Sequence, residues 1–585
     1  MLARMPSLMD IRVERNVAVP MRDGTILRAD VFRPEPEGNY PVLLTRTPYN
    51  KSMANLSYGW LQPVRPASEG YVVVVQDVRG RFESDGRFHP FHQELGDGFD
   101  TVEWCARQPW SNGRVGMYGI SYLGATQWLA ASAQPPNLQC IFPSLTASDY
   151  FDGWTYRGGA FELGFNLTWT ALLLALPEVP RLGLETGELQ RVMAGLAGVV
   201  WDHWPALRHL PISELPAFAH EAVAPYYREW LEHPTRDAYW EPVSIEAAHP
   251  RIHTPAYNLG GWYDLFIRGT LRNFSGMRAN GPTEVARNGQ KLIVGPWSHG
   301  APLTASVGQT VFGQAAQVLL EDLHMNWFDR WLRDRDTGID AEPPVRVFTM
   351  GTNTWDTYSD WPPRESVPTR YYLHSNGAAA TARGDGVLST DAPGAERPDR
   401  FVYDPLNPCP TRGGALFPYP LDVPPGPFDQ GDIEARPDVL CYTTPVLDRD
   451  VQVTGTIEAR LWVASSCRDT DFTAKLVDVH PGGTAMNLTD GVIRARYHRG
   501  FEQPELLQPG VPVEVAIDMA GTSNVFRAGH RIRLEVSSSN FPRFDRNTNT
   551  GALIATDHGL EVALNTVFHD AAHPSYLTLP VIPRP

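Results

Sequence analysis

A serine at the apex of a strand-to-helix turn is a candidate nucleophile, and the chain offers one in Gly119-Ile120-Ser121-Tyr122-Leu123-Gly124. The stretch before it, Arg114-Val115-Gly116-Met117-Tyr118, reads as a short strand, and Ala125–Ala133 reads as a helix. Such a turn strains the serine backbone, so side chains at positions 119 and 124 would collide with it. An exposed Oγ could then attack a carbonyl carbon. The second glycine lies three residues after Ser121 rather than two, so the hexapeptide alone also fits an ordinary strand–helix turn.

A serine hydroxyl needs a base, and the base needs a carboxylate to orient it. Downstream, Asp264 ends the run Asn258-Leu259-Gly260-Gly261-Trp262-Tyr263-Asp264, and His299 lies in Gly295-Pro296-Trp297-Ser298-His299-Gly300. Each follows a predicted strand, and the order serine, acid, histidine suits acyl transfer on a parallel sheet. Plainer readings remain: Asp264 is placed to cap a helix, and His299 could be an ordinary loop histidine. A tetrahedral intermediate also needs donors for its oxyanion. The backbone N–H of Tyr122 is one. The loop Leu44–Lys51 has no glycine-rich nest, and there the phenol of Tyr49 could donate instead. His89-Pro90-Phe91-His92, with Asp85 and Glu94, has metal-ligand types at a spacing that matches no established site. Arg79, Arg81 and Asp77 are expected to stitch together the loop after a strand.

The elements that must hold these residues alternate. Residues 16–32 read as a hairpin around Met21-Arg22-Asp23-Gly24; Pro41–Thr45 and Tyr71–Gln76 are apolar runs suited to buried strands. A helix over 96–107, strands over 114–119, 138–142, 254–260 and 291–295, and an amphipathic helix near 314–333 follow. This alternation predicts a largely parallel sheet with crossover helices. From about 147 to 250 tryptophans punctuate several predicted helices, an insertion over the carboxyl ends of the strands. Beyond Pro344, residues 376–400 and 418–427 read as loops. Val453, Gly455, Ile457, Ala459, Leu461 and Val463 alternate with polar residues, as do Val511, Val513, Val515, Ile517 and Met519, and Ile532, Leu534 and Val536. That period of two predicts an all-β sandwich or jelly roll.

The 585 residues exceed one typical core, and 42% hydrophobic against 20% charged residues allows large ones. A net charge of −16 disfavours nucleic acid and anionic membrane as partners. The five cysteines, Cys105, Cys140, Cys409, Cys441 and Cys467, support neither a disulfide framework nor a zinc site. Met1–Pro20 carries charges and no apolar leader core, and the longest apolar run, Ala171–Leu176, is too short to span a bilayer. A cytoplasmic protein acting on a small molecule is expected, with room for a homodimer.

Thr47-Pro48-Tyr49, Gln76-Asp77-Val78-Arg79-Gly80, the serine hexapeptide, Gly261-Trp262-Tyr263-Asp264 and Gly295-Pro296-Trp297-Ser298-His299 occur in this order, with Arg436-Pro437-Asp438-Val439-Leu440 in the β-rich half. Together they resemble the cocaine esterase and X-Pro dipeptidyl-peptidase-like acyl hydrolases, nearest the bacterial esterase branch, over nearly the whole chain. The resemblance explains the glycine spacing. It implies Ser121 as nucleophile, His299 as base, Asp264 as acid, Tyr49 and the Tyr122 amide as oxyanion hole, and no metal or organic cofactor. It implies an α/β-hydrolase domain in two parts, 1–146 and 251–350, a helical cap over 147–250, and a jelly-roll domain over 351–585. Trp154, Trp169 and Phe266 are similar in placement to residues lining the acyl pocket. The expected reaction is carboxylic-ester hydrolysis through an acyl-enzyme. An amide, peptide or α-amino-acid ester hydrolase with the same triad is the alternative. Leu123 stands where the α-amino-acid ester hydrolases carry an acid, while Asp152 and Glu162 keep that reading open. A non-catalytic binding protein led by the β domain is the reading from another class.

Overall fold

The computed structural model describes residues 9–300, 304–418 and 422–583. The start of the segment 1–20 and positions 419–421 of the loop expected over 418–427 lie outside the described residues.

The first sheet has ten strands: β1 (Ile11–Pro20), β2 (Ile26–Pro34), β3 (Tyr40–Thr47), β4 (Val72–Asp77), β5 (Ser111–Ile120), β6 (Leu138–Ser144), β7 (Tyr257–Tyr263), β8 (Lys291–Ser298), β9 (Val345–Thr349) and β10 (Thr354–Tyr358). Their order is β1-β2-β4-β3-β5-β6-β7-β8-β9-β10. From β4 across to β9 neighbours run parallel; β1, β2 and β10 pair antiparallel at the edges. All six residues of β4, Val72–Asp77, are buried, as a strand covered on both faces requires. The covering helices include α1 (Glu94–Ala106), α2 (Tyr122–Ser132), α6 (Ile267–Asn280) and α7 (Leu320–Arg333). The last is shorter than the amphipathic helix expected near 314–333, because Gln314–Ala316 forms a separate 3-10 turn. The sheet also runs past residue 350, where its end was expected. β9 and β10 form an antiparallel hairpin, so the sheet continues to Tyr358.

Between β6 and β7 the chain leaves the sheet and builds helices, among them α3 (Leu163–Trp169), α4 (Thr186–Trp201) and α5 (Pro225–Glu232), with a π-helical segment over Thr170–Ala175. After β10, eleven strands among the described residues between Val367 and Ile582 form a second, mostly antiparallel sheet. Its longer members include β11 (Val451–Ser465), β12 (Asp471–Val479), β13 (Ala485–Arg494), β14 (Val513–Phe526) and β15 (Arg531–Ser537). The alternating residues Val453, Ile457, Ala459, Leu461, Val515, Ile517, Ile532 and Leu534 enter its core, whereas Val511 precedes β14 and is exposed. Short strands at Val387–Ser389 and Asp399–Tyr403 interrupt the stretch 376–400 that reads as a loop. No helix among the described residues is long and apolar enough to cross a membrane.

The strand order places β4 on one side of β3 and β5 on the other, so the winding reverses between β3 and β5. At such a reversal the loops leaving the carboxyl ends of the two strands diverge and open a crevice. Tyr49 lies just past β3 and Ser121 just past β5.

Candidate active site

Ser121 has φ 60° and ψ −120°, a conformation that costs a non-glycine residue about 1–3 kcal/mol. Its N–H donates to the Ser144 carbonyl at 2.9 Å, which anchors the turn to β6. Gly119 has φ 140°, and a Cβ there would stand 2.5 Å from the Leu123 Cβ. A Cβ on Gly124 would stand 2.8 Å from the Thr146 Cβ, so the glycine three residues past the serine lets α2 pack close to the strand β6 loop. Tyr122 is the first residue of α2, directly after Ser121, and an N–H at that position of a helix has no carbonyl a turn earlier to bond. Tyr122's own ring is buried, its hydroxyl donating to Glu94 and accepting from the Phe91 N–H, each at 3.0 Å.

Tyr49 is held by the loop that the apolar strand β3 runs into. The Thr47 hydroxyl accepts the Tyr49 N–H at 3.0 Å, and the Arg81 Nε donates to the Pro48 carbonyl at 2.9 Å. Lys51 gives both its N–H and its ammonium to Asp77 at the end of β4, at 2.7 and 2.9 Å. Arg81 and Asp77 therefore fix the loop that carries Tyr49, while Arg79 pairs with Asp97 and Asp23. The Tyr49 hydroxyl accepts the indole N–H of Trp169 at 2.9 Å. Burial raises the phenol pKa well above its ordinary value, so at neutral pH it is a proton donor.

On the other side of the crevice, Asp264 follows β7 and His299 follows β8. The His299 Nδ1 and Asp264 Oδ1 are 2.6 Å apart, with Asp264 fully buried and His299 nearly so. Asp264 does not take the capping place open to it, since α6 begins at Ile267 with Phe266 at its cap. Rings connect the two halves. Phe266 meets the His299 ring at 5.3 Å and stacks on Trp154 at 4.3 Å; Trp154 meets Trp169 at 5.2 Å. Tyr49, Trp169, Trp154, Phe266, His299 and Asp264 are thus joined by hydrogen-bond and ring contacts, and Ser121 at the end of β5 precedes Tyr122, whose ring meets Trp154 and Trp169.

Two members were not singled out. Phe165 stacks on Trp169 at 5.4 Å, and Phe417 meets Phe165 at 5.1 Å and His299 at 5.5 Å. Phe165 precedes Trp169 by one helical turn on α3, a spacing that puts both on one face and was legible. Phe417 comes from the segment between the short strand at Asp399–Tyr403 and β11, and nothing local marks it.

Asp152 and Glu162 are both buried and both spoken for. Burial would raise the Asp152 carboxyl, but Arg268 at 2.8 Å and Arg272 hold it below the usual carboxylate range. Glu162 lies 3.3 Å from Arg157 and 3.7 Å from Arg543. His89 pairs with Glu229 at 2.6 Å and packs edge-on against His92.

The chain matches two family models, the X-Pro dipeptidyl-peptidase (S15 family) over residues 23–301 and the X-Pro dipeptidyl-peptidase C-terminal non-catalytic domain over 337–578. It is 41% identical to cocaine esterase from Rhodococcus sp. (strain MB1 Bresler), covering 98% of this chain and 99% of that one. A crystal structure of an aminopeptidase from a marine sediment Thaumarchaeota archaeon superposes with a TM-score of 0.83 at 25% identity, covering 100% and 98% of the two chains. An α-amino acid ester hydrolase structure superposes with a TM-score of 0.79 at 26% identity, covering 99% and 98%. This chain therefore belongs to the cocaine esterase and X-Pro dipeptidyl-peptidase-like family of serine hydrolases, with an α/β-hydrolase domain, a helical cap and an all-β carboxyl-terminal domain.

Proposed function

We propose that the chain hydrolyses carboxylic esters of small molecules through an acyl-enzyme formed on Ser121. The observation that carries this reading is the 2.6 Å His299–Asp264 pair, joined through Phe266, Trp154 and Trp169 to the ring of Tyr122, the residue after a strained, half-buried serine. His299, oriented through Nδ1 by Asp264, takes the Ser121 proton as Oγ attacks the ester carbonyl. The oxyanion receives the Tyr122 N–H and the Tyr49 phenol. Collapse expels the alcohol, which takes the proton from His299. Water, activated by the same histidine, then releases the acid and regenerates Ser121. Trp154, Trp169, Phe165, Phe266 and Phe417 offer an apolar wall to the acyl group. The all-β domain, read as a jelly roll, closes one side through Phe417.

The amide, peptide or α-amino ester alternative needs a carboxylate to hold the substrate ammonium. Asp152 and Glu162 are neutralised by arginines, which favours the plain ester. A panel of p-nitrophenyl acyl esters and aminoacyl p-nitroanilides, run on the native chain and on Ser121→Ala, decides between them. Ester turnover with little anilide turnover is expected, and faster anilide turnover would reverse the assignment.

Two substitutions test the oxyanion hole. Tyr49→Phe removes one oxygen from a loop whose anchors are all elsewhere. It is expected to lower kcat by about 10²–10³-fold, roughly 2.7–4 kcal/mol, because the bond strengthens as charge develops. A raised KM at constant kcat would mean that Tyr49 only contacts bound substrate. Trp169→Phe keeps an aromatic ring, though a smaller one, and deletes the indole N–H. An indole nitrogen can only donate, so it points the phenol proton away from itself and toward the oxyanion. A loss of about tenfold in kcat is expected, the worth of one neutral hydrogen bond of about 1–1.5 kcal/mol. In the Tyr49→Phe background the same change should cost almost nothing. Equal losses in both backgrounds would make Trp169 a wall residue alone.

A further inference from the structure

Strand β12 sends Phe472, Ala474 and Leu476 into the core of the β domain. The next residue in that register is Asp478, directly opposite the fully buried Ile532 of β15, and only 6% exposed. A carboxylate at a position that the alternation reserves for an apolar side chain demands a partner. Two histidines supply it. His530, held in the turn before β15 by its N–H to the Arg527 carbonyl, brings Nδ1 to 2.8 Å from Asp478 Oδ1. His480 opens the hairpin turn between β12 and β13, closed by its N–H to the Thr484 carbonyl at 2.9 Å. Its Nε2 lies 3.9 Å from Asp478 Oδ2, and its ring lies 4.5 Å from that of His530. One ligand atom from each of the three lies within 4.8 Å of the others.

A divalent cation set among them would take one lone pair from each of the three groups. Around tetrahedral zinc, with bonds of about 2.0–2.2 Å, ligand atoms stand about 3.4 Å apart. One carboxylate oxygen lies 2.8 Å from the His530 nitrogen and the other 3.9 Å from the His480 nitrogen, and one ligand atom from each residue lies within 4.8 Å of the others, so the set is within reach of that figure. Two nitrogens and one oxygen suit zinc or a neighbouring transition metal rather than magnesium or calcium. We propose that Asp478, His480 and His530 form a zinc-class metal site that clips the β12–β13 turn to the turn before β15. Water completes its coordination, and its role is to fix one end of the β domain. The ligands lie close together only because β12 pairs with β15; His480 and His530 are far apart in sequence, and no spacing motif marks them.

Calorimetric titration of the chelator-stripped full chain with ZnCl₂ tests the site, with MgCl₂ as the contrast. One equivalent of zinc is expected to bind and to raise Tm, while magnesium does neither. His480 is half-exposed, so His480→Ala should fold normally and weaken zinc binding by about 100-fold or more, beyond the cost of losing an outer-shell partner. Asp478→Asn and His530→Ala should abolish both binding and the Tm rise, with folding checked by circular dichroism. Absence of saturable zinc binding up to millimolar concentration would overturn the site. Binding of equal affinity in the native chain and His480→Ala would overturn it too, whatever the other two variants do.

Discussion

Ser121→Ala is expected to abolish stoichiometric labelling by a fluorophosphonate and to lower kcat by about 10³-fold or more. The chemistry asks much of this one oxygen. It must sit where a base can take its proton, and the intermediate it forms must fall between two oxyanion donors. The elbow supplies the position: the serine carries a strained backbone, fixed by the Ser144 carbonyl and by glycines that leave no room for a Cβ. Alanine keeps that backbone conformation and loses only the hydroxyl. The variant should therefore melt within a few degrees of the native protein, so that lost activity reports chemistry. Labelling that survives at another serine, or a kcat within tenfold of the native value, would remove Ser121 from the role.

The pieces of this site differed in how visible they were. Val72–Val75 and Leu43–Leu44 are apolar at every position because parallel strands covered on both faces have no wet side, and so they were readable as strands. The turn at Ser121 was readable because only glycine tolerates the close approach of Leu123 and Thr146. Asp264 was ambiguous on its own, since a carboxylate before a helix is usually a cap. Its pairing with His299 depends on β7 and β8 lying side by side, which no local pattern encodes. Phe417 was invisible for a related reason: it reaches His299 from beyond β10, from a loop with no periodicity. Trp169 was legible as an aromatic in the cap, but the direction of its indole N–H toward Tyr49 is a property of packing. The arginine partners of Asp152 and Glu162 were likewise hidden, and they alter what those two acids can do.

His299→Ala is expected to cost about as much in kcat as Ser121→Ala, and the double variant should be no slower than either alone. A base and a nucleophile that act as one unit lose their joint effect when either goes. Multiplying losses would show that they act separately. The substitution has a second consequence, because Asp264 is fully buried and His299 is its partner at 2.6 Å. Removing the imidazole leaves a carboxylate buried without its partner, a situation that costs about 3–5 kcal/mol. His299→Ala should therefore lower Tm as well as kcat, and the two effects need to be told apart. Adding Asp264→Asn replaces the stranded carboxylate with a neutral amide of the same shape, which should restore much of the lost stability. It supplies no group able to take the Ser121 proton, so kcat should stay at the level of His299→Ala. If kcat returned along with Tm, the loss in the single variant would have been one of folding, and the base would have to be sought elsewhere.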